Sequence, residues 1–358
     1  MLTAIIFIIV IGVLVLVHEF GHFLFAKRAG MKVEEFGFGF PPRLYGWKKG
    51  ETVYSLNWIP FGGFVKILGE DGDQRGPRSF ASASMGRRML VIVAGVFMNF
   101  LLAAALLMIV NFFGLRIGLI DGDTGNSRDI QVQIVGVVSG SPADSAGLQT
   151  LDTIKGYKEN GTIVAINTTK AVQDVVASHL GRPLILEIKR GDQQIEETAT
   201  PRVNPPEGQG ALGISLALTG IVSYPWYEAI WRGAYDAGLL ALNMLFSFGA
   251  LFSQFFGHGK VIGDVTGPIG IARLTSQAAG VGFTYLLQFI ALISINLAVL
   301  NTMPFPALDG GRAFLLIVEK IRGKALDRHT EGMINTVGFF ILLTLMVLIT
   351  ARDLQKFL

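Results

Sequence analysis

The chain has 358 residues, 51% of them hydrophobic and only 16% charged, against about 25% charged in an ordinary soluble domain. Its mean hydropathy of +0.51 is that of a membrane protein, and the absence of cysteine excludes disulfides, thiolate metal sites, iron–sulfur clusters and cysteine nucleophiles. A net charge of +3 is too small a surplus to imply a nucleic-acid partner, so the distribution of charge along the chain carries more information than its sum.

Leu2 to Ala26 form one apolar run, about 37 Å long as a helix, enough to cross a hydrocarbon core of about 30 Å. The run predicts a first transmembrane helix over residues 1–26. No basic residue precedes Ala4 and no small-residue cleavage site follows, so a cleaved signal peptide is not expected. A second span is predicted over 89–116, flanked by Arg87, Arg88 and Arg116. Residues 121–204 alternate like short strands in IQVQIVGVV, TIVAIN and LILEIKR, the pattern of a small soluble domain. Within the linker 205–282, Trp226 to His258 carries Glu228, Arg232 and Asp236 before an uncharged stretch, which predicts an interfacial or re-entrant helix. Two further spans are expected, over 283–311 and 333–351.

Eleven lysines and arginines lie between Lys27 and Arg88, and five between Arg312 and Glu331. Segments 27–88 and 312–332 are therefore expected in the cytoplasm, with the N-terminus, the polar domain and the C-terminus outside it. The expected fold class is an α-helical multi-pass membrane protein with about four transmembrane helices, the lipid bilayer being its first partner.

The first span contains VHEFGHFLFAK, residues 17–27. His18 and His22, four apart, share one helix face and can ligate one metal ion, with Glu19 beside them able to act as a base on water at that ion. Ionisable groups inside a span are costly and mark function. His18 lies roughly 13 Å inward from the charged end of the helix at Lys27 by helical rise, so the chemistry is expected inside the bilayer toward the cytoplasm. Catalytic zinc normally has three protein ligands and an open position. The third is expected to be Asp309 in NTMPFPALDGG, residues 301–311, where Pro304 and Pro306 break the helix and Gly310 and Gly311 allow tight turns. Because Asp309 must reach the side of His18 and His22, four crossings fit and a fifth would not. A helix-binding scaffold would leave Glu19 without a task. A metal transporter would need more polar residues along its spans than Asn99, Asn296 and Asn301.

With HEFGH in the first span and NTMPFPALDGG in the third, the chain resembles the site-2 protease family of intramembrane zinc metalloproteases, and within it the bacterial RseP-type branch. FGFGF at 36–40 resembles the family's membrane re-entrant β-hairpin, PFGGFVKILGE at 60–70 the glycine-rich strand after it, GVFMNF at 95–100 the signature of the second span, and GPIGIA at 267–272 a segment ahead of the third. SGSPADSAGLQTLDTI, residues 139–154, is similar to the core of an α+β PDZ domain, departing at Leu151 where glycine is usual.

The resemblance implies one zinc ion per chain on His18, His22 and Asp309, with Glu19 as general base and acid. It further implies that Asn301 steadies the substrate backbone, and that Gly37, Phe38, Gly39, Phe40, Gly62 and Gly63 meet an unwound substrate strand. The implied substrates are single-span membrane proteins of the bacterial inner membrane. The implied reaction is the second cut of regulated intramembrane proteolysis, such as release of an anti-sigma factor fragment after an upstream site-1 protease. The PDZ-like domain is implied to be extracytoplasmic.

Overall fold

A computed structural model describes residues 2–70, 76–120, 127–159, 161–258, 267–324 and 326–357. The long apolar run forms α1 (Leu2–Arg28), and a paired hairpin follows, β1 (Val33–Lys49) and β2 (Thr52–Ile67). Next come α2 (Met85–Phe113), β3 (Leu115–Leu119), β4 (Arg128–Val137), α3 (Pro142–Ser145), β5 (Thr153–Glu159), β6 (Thr162–Ala165), α4 (Thr169–Ser178), β7 (Leu184–Arg190), β8 (Gln193–Ala199) and β9 (Ile214–Val222). The chain ends in α5 (Trp226–His258), α6 (Pro268–Val281), α7 (Phe283–Thr302), α8 (Asp309–Arg322) and α9 (Arg328–Phe357). It divides into two units, one of Met1–Met108, Ile230–Ala272 and Ile290–Leu358, the other of Ile109–Ala229 and Arg273–Phe289.

Five helices, α1, α2, α5, α7 and α9, are long and apolar enough to cross a membrane, where about four spans were expected. The additional candidate is the stretch read as interfacial or re-entrant. Its mean hydropathy of 1.3 is the lowest of the five, because Glu228, Arg232 and Asp236 occupy its first turns. Ala237 of α5 is nevertheless buried in one cluster with Ala103 and Leu107 of α2 and Ala291, Ile295 and Val299 of α7. Lipid is as apolar as these side chains, so small residues that admit close packing, and not the hydrophobic effect, hold such a bundle together.

In the first unit, α1 and α2 meet at Gly21, where any Cβ would fall 2.8 Å from the Ala94 carbonyl carbon and from Met98 Cγ. Only glycine permits that backbone approach. A buried cluster of Ala26, Met31, Val33, Ile67, Phe80, Val91, Ile92 and Leu316 joins α1, the hairpin, α2 and α8. The hairpin is more than a simple ladder. Gly37 pairs with both Phe64 and Ser55, so residues 33–38 lie between 63–67 on one side and 53–56 on the other, and Tyr45 to Lys49 pair with Thr52 to Leu56. Asn57 pins the FGFGF segment by donating to the carbonyls of Phe38 at 3.2 Å and Gly39 at 3.1 Å. At the opposite end Arg78 grips Glu51 through two bonds of 2.6 Å, which hold that carboxyl below its ordinary range. Beyond α7, Pro304 and Pro306 keep the chain from continuing as a helix. The turn closes on Gly310 and Gly311, whose missing side chains leave room for the backbone of Thr302 to Phe305.

In the second unit the strands run β3-β9-β4-β5-β7-β8, antiparallel throughout, with β6 on β5. Alternate residues Leu184, Leu186 and Ile188 turn inward with Val132, Ile134 and Ile154 to form its core. The sheet takes in β3 and β9, which lie outside the expected boundaries 121–204, and residues 121–126 are outside the described residues. Leu151 sits at φ +74, a left-handed conformation that a leucine adopts at a cost and glycine adopts freely.

Candidate metal centre

Helical spacing places His18 and His22 on one face of α1, their ring centroids 4.8 Å apart and both residues 8% exposed. Each ring is held from behind by α2. His22 Nδ1 lies 2.8 Å from the Val91 carbonyl oxygen, which can only accept, so Nδ1 carries the ring proton and Nε2 presents a lone pair. His18 Nδ1 lies 3.3 Å from the side-chain amide of Asn99. Gly95, four residues before Asn99 on the same face, closes the space between the rings: a Cβ there would stand 2.7 Å from Cε1 of both.

Asp309, the first residue of α8, completes the group. Its Oδ2 is 3.0 Å from His18 Nε2 and 3.2 Å from His22 Nε2, and the two nitrogens are 3.2 Å apart. Despite these distances Oδ2 is buried without a hydrogen bond. Three donor atoms converging within 3.2 Å of one another is the arrangement a shared ion requires. Ligands at about 2.0–2.1 Å in a tetrahedral shell stand about 3.3 Å from one another, so the residues fit zinc. Among the described residues this is the one such cluster of metal-ligating side chains.

Glu19 lines a cavity of about 260 Å³ together with His22, Asp309 and, from β2, Phe64, Val65 and Ile67. Glu70 and Arg312 pair at its margin. Of the glycines implied to meet substrate, Gly63 stands against the base: a Cβ built on it would lie 3.6 Å from Glu19 Cγ. Gly62 has φ +83 and stands against the Phe40 ring. Gly37, Phe38 and Gly39 form the strand next to 63–67. None of Gly37 to Phe40, Gly62, Gly63 or Asn301 lines the cavity among the described residues. Asn301 is half-buried in the last turn of α7. Sequence reasoning noticed Gly95 only within a motif, and Asn99 there and as one of few polar residues along the spans. The Val91 carbonyl and the Asn57 clamp carry no side-chain signature that a sequence could advertise.

The model of peptidase family M50 matches residues 6–345. The chain belongs to that family. A putative zinc metalloprotease of Clostridium perfringens is 38% identical over 95% of both chains. The zinc metalloprotease RasP of Geobacillus kaustophilus is 28% identical over 98% of this chain and 97% of its own. The regulator of sigma-W protease RasP of Bacillus subtilis is 28% identical over 99% of this chain and 98% of its own. This M50 peptidase is thus a zinc metalloprotease of the site-2 protease family, built on several apolar helices.

Proposed function

We propose that this M50 peptidase hydrolyses peptide bonds within the transmembrane segments of single-span membrane proteins, with one zinc ion on His18, His22 and Asp309 and with Glu19 as general base and acid. The observation that carries the reading is the convergence of His18 Nε2, His22 Nε2 and Asp309 Oδ2 within 3.2 Å of one another, beside a cavity that Glu19 also lines. Zinc bound there lowers the pKa of water and polarises a carbonyl. Glu19 takes the proton from the attacking water and returns it to the amide nitrogen as the C–N bond breaks, leaving a carboxylate and an amine. Asn301 donates a hydrogen bond to the substrate backbone.

A helical substrate presents no free carbonyl, because its backbone groups are bonded to one another. The strand 63–67 supplies an alternative set of partners: it is paired with 33–38 on one side, and no strand pairs with its other side among the described residues. Strand addition there extends the substrate past Glu19. Gly62 and Gly63 keep the approach open, and Gly37 to Phe40 back the strand that receives it. The PDZ-like domain, residues 121–204, read as lying outside the cytoplasm of a bacterial inner membrane, excludes substrates with large ectodomains, so that an upstream site-1 cut precedes this one. An anti-sigma factor is the substrate class suggested by a relative named for sigma-W regulation.

The test compares membrane proteomes of cells carrying the wild type and Glu19→Gln. Single-span proteins with shortened ectodomains should accumulate in the variant and disappear with the wild type. Equal levels of such proteins in the two strains defeat the reading.

A further inference from the structure

The two histidines are secured differently, and the difference concerns where the proton of His18 sits. His22 faces a backbone carbonyl, so its tautomer is fixed with Nε2 free. His18 faces Asn99, whose side chain is fully buried and whose Nδ2 stands 3.3 Å from His18 Nδ1. In that orientation the amide donates, Nδ1 accepts, and the ring proton is left on Nε2, the atom that points at Asp309. An imidazole protonated on Nε2 cannot ligate through it. At the same time Asn99 Oδ1 is buried and has no hydrogen-bond partner. An amide oxygen and nitrogen are the same size, and a half-turn about the last side-chain bond exchanges them without moving a neighbour. After that half-turn Oδ1 accepts from a protonated Nδ1, the orphaned acceptor is satisfied, and Nε2 is free for metal.

We propose that Asn99 is a positioning residue for the metal ligand His18: with Oδ1 turned toward Nδ1, its amide accepts the ring proton there and leaves Nε2 free for the ion. The inference rests on the reading of His18 as a ligand. Asn99 is well sited for this task. Its carbonyl oxygen accepts from Ser294 Oγ of α7 at 2.8 Å, so the residue that orients His18 is bonded to the helix that leads toward Asp309. An outer-shell partner of a ligating histidine typically contributes 10- to 100-fold in metal affinity.

The experiment measures affinity for Zn2+ and Co2+ by chelator competition on purified full-length protein, independent of cleavage, for the wild type, Asn99→Leu, Asn99→Asp and His18→Ala. Asn99→Leu removes the acceptor and should lower affinity about 10- to 100-fold. Asn99→Asp keeps an acceptor of the same shape and should retain wild-type affinity or exceed it. Asn99→Leu at wild-type affinity overturns the proposal, and so does a fall of tenfold or more in Asn99→Asp. If Asn99→Leu does not fold, the Asn99→Asp arm decides alone. Failure of the underlying site reading is separable: it appears as wild-type affinity in His18→Ala, whereas loss in His18→Ala with no change in Asn99→Leu removes only the role of Asn99.

Discussion

An alanine Cβ at position 95 would sit 2.7 Å from Cε1 of both His18 and His22, and closer still to His22 Nε2, whereas carbons in contact rest at about 3.5–4.0 Å. Gly95→Ala therefore obliges the rings to retreat by roughly 1 Å, while metal-ligand distances tolerate about 0.2 Å. Overpacking of this kind costs about 1–3 kcal/mol. Charged against metal binding at about 1.4 kcal/mol per tenfold, that is about 5- to 150-fold in zinc affinity. Chelator competition on the purified protein measures the loss, and cleavage should fall with zinc content. Gly86→Ala is the control, on the same helix with nothing within 4 Å of the added carbon, and should leave zinc affinity unchanged. Wild-type affinity in Gly95→Ala would refute the placement of α2 against the histidines.

Glu19→Gln should keep stoichiometric zinc and lose cleavage, because the base is removed and the ligands remain; zinc lost together with activity would make Glu19 a ligand instead. Asp309→Ala should lower zinc content, since one of three protein ligands goes, and metal analysis showing full occupancy would require another third ligand. Successive N–H groups of a strand point to opposite sides, so one of Phe64→Pro and Val65→Pro removes a donor from the open edge. That variant should cut slowly with normal zinc, and unchanged rates in both would exclude strand addition at 63–67.

The cluster of candidate metal ligands was legible because the span makes its residues conspicuous. Two histidines and a glutamate have no bland role in a run such as MLTAIIFIIVIGVLVL, and helical spacing alone puts His18 beside His22. Asp309 was legible for a similar reason, a carboxylate at a proline-broken span end followed by two glycines. The hairpin was harder. Alternation indicates strands, yet nothing in FGFGF announces that Gly37 pairs on both sides, because register is decided by partners distant in the chain. The sheet reaches past 204 for the same cause: β9 is a strand by virtue of β3 and β4, with which it pairs. For α5, composition argued in two directions at once, its charged first turns toward an interface and Ala237 toward the bundle cluster it joins.

A hydrolytic centre in an apolar span carries three costs: ionisable side chains out of water, a carboxylate away from solvent, and a strand edge with open backbone groups. The structure meets the first two with neighbouring groups. The ring nitrogens that face away from the cluster lean on the Val91 carbonyl and the Asn99 amide, so neither histidine is left with an idle polar atom. Asp309 is the first residue of α8, where unpaired N–H groups and the positive end of the helix dipole favour an anion. The third cost is not fully met. Phe64, Val65 and Ile67 of the strand 63–67 line the cavity of about 260 Å³ that Glu19 and Asp309 also line, and open edges at membrane depth are tolerated only where they face water or protein. In the proposed mechanism a substrate strand would pair with that edge beside Glu19. The backbone groups this strand leaves open would then be the ones that receive an unwound segment at the base.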